Sequence, residues 1–281
     1  SRNELKGAIT RIQWLAQNAE KYLKEEWMAS GNTMEEMFVY EPLGVVCNIS
    51  AWNYPYLVGV NVFVPALIAG NAVMYKPSEF ATLSGMEIDK LLKEAGIPDP
   101  VFQPAIGGGA VGEALMHIPF DGYFFTGSYK TGKSVYEKAS LKMVPCQCEL
   151  GGKDPLYVAE EVSDSHAVAV ATAEGAFDNS GQSCCSVERI YVHERIYDEY
   201  VNAFVHEVKS WKMGLPTGDG VFIGPLTRKE QLAVLDQQVR EAVRKGAVIL
   251  TGGKRPAHRG YYFEPTVLVN VTNDIDRKSV V

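Results

Sequence analysis

Apolar residues at positions 5, 9, 12, 16, 19 and 23 recur at steps of three and four, which predicts an amphipathic helix over 5–23. A turn at 31–33 ends it. From residue 43 onward, short apolar runs alternate with longer helical patterns. Strands are predicted over 44–49, 72–75, 101–106, 123–125 and 145–149, and helices over 58–68, over 84–95 with a stop at Gly96, after Gly112 and after Ser128. This alternation predicts an α/β fold: a Rossmann-like, mostly parallel sheet with helices on both faces. A second series follows Gly152, with strands over 156–159, 189–193, 248–250 and 262–269 and helices over 165–178, 196–211 and 229–245. Two domains are expected, 1–150 for cofactor binding and 151–281 as a partial α/β catalytic domain. Glu149 then falls at their junction, where ligand sites tend to form.

A length of 281 residues suits about two domains. Apolar residues at 46% and charged ones at 22% place the chain among globular proteins with a sizeable core. The net charge of −7 comes from interleaved acids and bases, so neither nucleic acid nor an anionic membrane is an expected partner. The longest apolar run, 57–69, is interrupted by Asn61 and Pro65 and is too short to span a bilayer. Ser1 opens directly onto charged residues, so no secretory leader is expected. Five cysteines form no disulfide framework and point to a reducing compartment, the cytoplasm or alternatively the mitochondrial matrix. Neither Cys146-Gln147-Cys148 nor Cys184-Cys185 has zinc-ligand spacing, and no metal is expected.

Several short stretches carry chemistry, each with a bland counterpart. Residues 107–112, Gly-Gly-Gly-Ala-Val-Gly, follow a predicted strand and open a helix, the context in which N–H groups approach a pyrophosphate; such turns also form for steric reasons alone. Lys76-Pro77-Ser78-Glu79 follows another strand, where a carboxylate can bind ribose hydroxyls or merely form a charged turn. Cys184, after Gly181-Gln182-Ser183, lies at a helix start or turn whose N–H groups lower a thiol's pKa, or else is a structural thiol. Glu149 ends a strand before Gly151-Gly152; a buried carboxylate there would serve as a general base, an exposed one as a cap or ion-pair partner. Asn53, in Ala51-Trp52-Asn53-Tyr54-Pro55, offers an amide donor or an Asx turn.

Taken in order, these motifs resemble the aldehyde dehydrogenase superfamily from about residue 5 to about residue 270. The resemblance implies NAD(P)-dependent oxidation of a small-molecule aldehyde to a carboxylate, and a homo-oligomer, dimer or tetramer, in the full-length form. It assigns Cys184 as nucleophile, Glu149 as general base and Asn53 as oxyanion donor, with Lys153 near the site. Lys76, Ser78 and Glu79 are similar to the residues that bind the adenosine end, with Gly109 and Gly112 shaping the turn beside it. Phe125, Thr126, Gly127 and Ser128 resemble the helix start that faces the pyrophosphate, and Trp52, Leu150 and Gly151 complete the expected cofactor contacts. A carboxylate at Glu79 repels a ribose 2′-phosphate, so NAD is expected over NADP. Trp52, Tyr54, Tyr56 and Phe177 are expected to line the aldehyde's channel.

The chain also departs from the family. Strands expected ahead of the first helix are missing, and the Glu-x-Phe-Gly-Pro stretch expected after Glu264-Pro265-Thr266-Val267 does not follow before Val281. The segment Asp276-Arg277-Lys278-Ser279 matches nothing expected there. A truncated catalytic domain is therefore expected, with nicotinamide positioning weakened. The competing reading is a relative that keeps the fold without turnover. A cofactor-independent cysteine hydrolase is weaker, because the sequence offers no plausible histidine partner near Cys184.

Overall fold

The structure, a computed structural model, describes residues 2–31, 33–257, 259–273 and 275, so the reading of 276–279 lies outside the described residues. Two compact units divide the chain, residues 1–150 and 151–281.

The first unit runs α1 (Arg2–Leu23), β1 (Glu26–Ser30), β2 (Glu35–Phe38), β3 (Val45–Ile49), α2 (Leu57–Ile68), β4 (Ala72–Lys76), α3 (Thr82–Glu94), β5 (Phe102–Pro104), α4 (Gly109–Leu115), β6 (Gly122–Gly127), α5 (Tyr129–Ser140) and β7 (Cys146–Leu150). Five of its strands form one sheet in the order β5-β4-β3-β6-β7, and every pairing is parallel. The chain starts at the centre with β3, moves outward through β4 to β5, then returns to place β6 on the other side of β3.

Both sheet faces are covered. Val46, Val73 and Tyr75 point to one side and pack with Ala8 of α1, Phe63 of α2, Ile88 of α3 and Phe102. Cys47, Tyr123 and Phe125 point to the other, against Leu115 of α4 and Val135 and Ala139 of α5. The ring of Phe63 stands edge-on to Tyr75 at 5.5 Å and to Phe102 at 5.4 Å, an arrangement that adds about 0.5–1.5 kcal/mol per pair beyond area burial.

The first helix forms, but its expected apolar stripe is not what it buries. Leu5, Ile9 and Ile12 are exposed, whereas Glu4 and Ala8 are buried. The reason is polar: Glu4 Oε1 accepts hydrogen bonds from the N–H groups of Tyr56 at 2.7 Å and Leu57 at 3.3 Å, so α1 supplies the carboxylate cap at the start of α2. The hairpin β1–β2 was not expected from the sequence; every residue of both strands is exposed, so burial left no alternation to read. α4 begins at Gly109 rather than after Gly112, which puts two of the glycines inside the helix.

The second unit comprises β8 (Asp154–Val158), α6 (Ser165–Phe177), β9 (Val187–Val192), α7 (Tyr197–Ser210), β10 (Lys212–Met213), β11 (Val221–Ile223), α8 (Lys229–Arg244), β12 (Val248–Thr251) and β13 (Val267–Val269). Its strands pair two by two, β8 with β9 and β10 with β11 in parallel, β12 with β13 antiparallel. Val158, Ala169, Ala173, Tyr200, Phe204 and Val208 bury the contact of α6 and α7 with this layer. The strand expected over 262–269 shrinks to β13, since Pro265 removes a donor and Thr266 Oγ1 bonds Glu264 O at 2.7 Å instead.

Candidate active site

In a doubly wound sheet the ligand crevice lies outside the carboxyl ends of the strands, where the strand order reverses. Here the reversal falls between β3 and β6. All five strands run the same way, so their carboxyl ends share one edge, and most of the candidate positions of the first unit follow directly from it. The turn through Trp52 and Asn53 leaves β3, Lys76–Glu79 leaves β4, the glycine turn leaves β5, Phe125–Ser128 ends β6, and Glu149-Leu150 ends β7.

Asn53 is buried, and its Oδ1 accepts from the N–H of Tyr54 at 3.2 Å, which orients the amide within the turn. Trp52 beside it is half-buried. Ser50 N–H donates to Lys76 O at 2.9 Å and ties the ends of β3 and β4 together.

Lys76 is only 4% exposed. Its Nζ donates to Pro77 O at 3.2 Å and lies 3.8 Å from Glu79 Oε2. Burial pushes the Lys76 ammonium below its ordinary pKa, and the Glu79 carboxylate partly offsets this. Ser78 accepts from Phe80 N–H at 3.3 Å and so caps the short helical turn on which exposed Glu79 stands. The glycine turn closes on the same place: a Cβ on Gly112 would lie 3.6 Å from Lys76 Cε, and one on Gly108 would lie 4.0 Å from Glu79 Oε1. Beside Gly109 nothing stands within 4 Å.

The start of α5 is built by close packing. Phe125 is buried, and Gly132 in the second turn sits so near Leu150 and the Phe125 ring that a side chain there would meet both. Ser128 occupies the cap position, but its hydroxyl bonds Thr131 Oγ1 at 3.1 Å rather than the backbone. As at any helix start, the first N–H groups have no carbonyl one turn back. Glu149, paired with Thr126 across β6 and β7, is exposed. β7 is the outer strand of this sheet and its residues alternate: Cys146, Cys148 and Leu150 pack toward the core, and Gln147 and Glu149 are exposed.

In the second unit Cys184 and Cys185 are the central residues of a turn closed by Ser186 N–H to Ser183 O at 3.3 Å, not the start of a helix. Cys184 is half-buried and its Sγ lies 3.6 Å from that of exposed Cys185. Ahead of the turn, Asn179, Ser180 and Gly181 have φ of 52°, 61° and 74°, three successive left-handed residues. Ser180 is hydrogen-bonded to Gly224, and Gln182 to Asn179 and Thr227. Gln182 stands in the cysteine motif of the sequence without an assigned role, and Asn179 and Ser180 are not singled out there; for these two the Asn-Ser-Gly cluster is the turn signal. Gly151 and Gly152 are partly buried, and Gly152 abuts the carbonyl of Cys184. Lys153 pairs with Glu188, and Arg189 Nε donates to Lys153 O at 2.8 Å, which joins the entry of β8 to the residues just past the cysteine turn. Phe177 packs edge-on against Trp211 at 5.5 Å, and Tyr56 packs against the core of the first unit; all three side chains are partly buried.

The residues at the carboxyl edge fit a dinucleotide. They offer an exposed carboxylate for ribose hydroxyls, a lysine beside it, a glycine turn with open space beside Gly109, and helix-start N–H donors. Among the described residues no three His, Cys, Asp or Glu side chains gather as a metal site, and no helix is long and apolar enough to cross a membrane.

Residues 1–277 match the sequence profile described as "Aldehyde dehydrogenase family". Among similar proteins, aminoaldehyde dehydrogenase 1, peroxisomal, of Pisum sativum is 38% identical over 248 residues, which are 87% of this chain and 49% of the relative. An aldehyde dehydrogenase of Mycobacterium tuberculosis, solved with NAD+, superposes with a TM-score of 0.92 at 31% identity, covering 98% of this chain and 57% of its own. A 3,6-anhydro-L-galactose dehydrogenase in complex with NAP gives a TM-score of 0.91 at 34% identity, covering 99% and 60%. The chain thus spans about half the length of the curated relatives it matches.

Proposed function

The chain belongs to the aldehyde dehydrogenase family, and from that membership we propose that its protein oxidises an aldehyde to a carboxylate with NAD as hydride acceptor. The observation that carries the cofactor half is the gathering of Trp52, Lys76, Ser78, Glu79, Gly109, Gly112, Phe125–Ser128 and Leu150 along the carboxyl edge of one parallel sheet. The preference for NAD over NADP rests on Glu79, whose charge repels a 2′-phosphate; a relative solved with NAD+ and another solved with NAP leave the family open to both.

The dinucleotide, when bound, supplies the hydride acceptor. In the proposed reaction Cys184 Sγ adds to the carbonyl carbon and forms a thiohemiacetal. The Asn53 amide and the Cys184 N–H donate to its oxyanion. Departure of the hydride leaves a thioester on Cys184. Glu149 takes a proton from water, which cleaves that thioester and frees the thiol.

The proposal extends to a homo-oligomer of the full-length protein in a reducing compartment, the cytoplasm. The exposed Trp27, Met28 and Phe38 of the β1–β2 hairpin support association, since large apolar side chains on a two-stranded edge favour burial against another chain. Mass spectrometry after acid quench tests the chemistry. The Glu149→Gln variant, given NAD and an aldehyde, accumulates an acyl adduct on Cys184; its absence in Glu149→Gln and wild type alike counts against a thioester route.

A further inference from the structure

The cysteine turn hangs from backbone that residues with side chains avoid. Asn179, Ser180 and Gly181 occupy the left-handed region in succession, and such a run persists only where its surroundings over-determine it. Those surroundings are residues 224–227, a segment more than forty positions on in sequence. The Ser180 hydroxyl serves the backbone of Gly224 twice: Oγ accepts from its N–H at 3.0 Å and donates to its carbonyl at 3.2 Å. The buried Gln182 amide works the same way. Its Oε1 accepts from Thr227 N–H at 3.0 Å, while its Nε2 donates to Asn179 O at 3.0 Å and closes the left-handed loop on itself.

We propose that Ser180 and Gln182 are positioning residues for Cys184, locking the turn that presents its thiol onto the backbone of residues 224–227; this rests on the reading of Cys184 as the nucleophile. Each side chain must donate and accept at once. A hydroxyl or a primary amide does this, whereas a methyl, a thioether or a carboxylate does not. With the lock in place the N–H groups around Cys184 keep one orientation, which is what stabilises a thiolate. Without it the turn is free to leave its left-handed conformation and those dipoles scatter. The coupling also makes residues 224–227 a place where a change far along the chain reaches the nucleophile.

The test follows alkylation of each cysteine of the 281-residue chain by iodoacetamide between pH 6 and 10, read by peptide mass, in wild type, Ser180→Gly and Gln182→Met. Glycine is chosen because it accepts φ 61° without steric cost while removing the Cβ and its hydroxyl. In both variants Cys184 alkylation at neutral pH is expected to slow roughly ten- to a hundredfold, and its pH midpoint to rise, while Cys47, Cys146 and Cys148 label as in wild type. Variants that melt at lower temperature yet keep the wild-type Cys184 rate and pH profile overturn the positioning role and leave the nucleophile reading intact. Wild-type Cys184 that labels no faster than Cys185 overturns both.

Discussion

Gly152 lies so close to the carbonyl oxygen of Cys184 that a Cβ added to it would stand 3.1 Å from that oxygen and 2.6 Å from Asp154 Oδ1. The Asp154 side chain can swing aside; the carbonyl belongs to the turn itself. Gly152→Ala is therefore expected to displace the cysteine turn by a few tenths of an ångström, at a cost on the order of 1 kcal/mol of stability, and to slow Cys184 alkylation severalfold. Urea unfolding and thiol labelling measured together check this. A variant with lost stability and an unchanged labelling rate would show that the contact is packing alone.

A second close approach fixes the start of α5. A Cβ on Gly132 would lie 2.4 Å from Leu150 Cδ2 and 3.2 Å from two ring carbons of buried Phe125. In Gly132→Ala either the Leu150 side chain turns aside or the helix moves off the ends of β6 and β7, an overpacking that costs about 1–3 kcal/mol. Because those ends carry Phe125–Ser128, NAD affinity measured by calorimetry is expected to fall along with the melting temperature. Destabilisation with full affinity would remove α5 from the cofactor account.

The sequence and the structure agree where periodicity reports burial. Strands with alternate residues on two covered faces, such as Val46 and Cys47 of β3, were legible, and so was the central parallel sheet. The hairpin β1–β2 was not, because a ribbon exposed on both sides has no buried face to alternate. Leu5, Ile9 and Ile12 misled for the reverse reason: they are spaced for burial, yet α1 packs through Ala8 and Leu15 and through the Glu4 cap on α2. At the candidate site the residue types Cys184, Glu149 and Asn53 were visible, but the fixing of the turn by Ser180 and Gln182 depends on residues 224–227, a long-range pairing that no local pattern encodes.

Glu79 is exposed, so its field on a bound ribose phosphate is screened and its effect on cofactor choice is modest. Glu79→Gln is expected to tighten NADP relative to NAD by roughly three- to tenfold. Paired fluorescence titrations with the two dinucleotides measure the ratio. A ratio unmoved by the substitution removes Glu79 from the adenosine site.

Alkaline pH tests the packing of β3. Burial raises the Cys47 thiol from its usual 9.0 to about 12, opposed in part by Lys142 and Lys76. The folded state then holds a proton that the unfolded chain gives up, so the stability linked to Cys47 is complete below pH 9 and is lost as pH climbs toward 12. The full window amounts to at most about 4 kcal/mol. Cys47→Ala starts from a lower stability, having lost a buried side chain, but is expected to decline less steeply between pH 9 and 11 in urea titrations. Parallel declines in the two proteins would contradict burial of the thiol.

The most direct measurement is NADH formation, followed by absorbance, when the 281-residue chain and its Cys184→Ala variant are each given NAD and a panel of aliphatic, aromatic and amino aldehydes. The account predicts NADH from the wild-type chain with at least one aldehyde and none above background from Cys184→Ala. NADH at equal rates from both would contradict it, and none from a folded wild-type chain would assign the activity to the full-length protein alone.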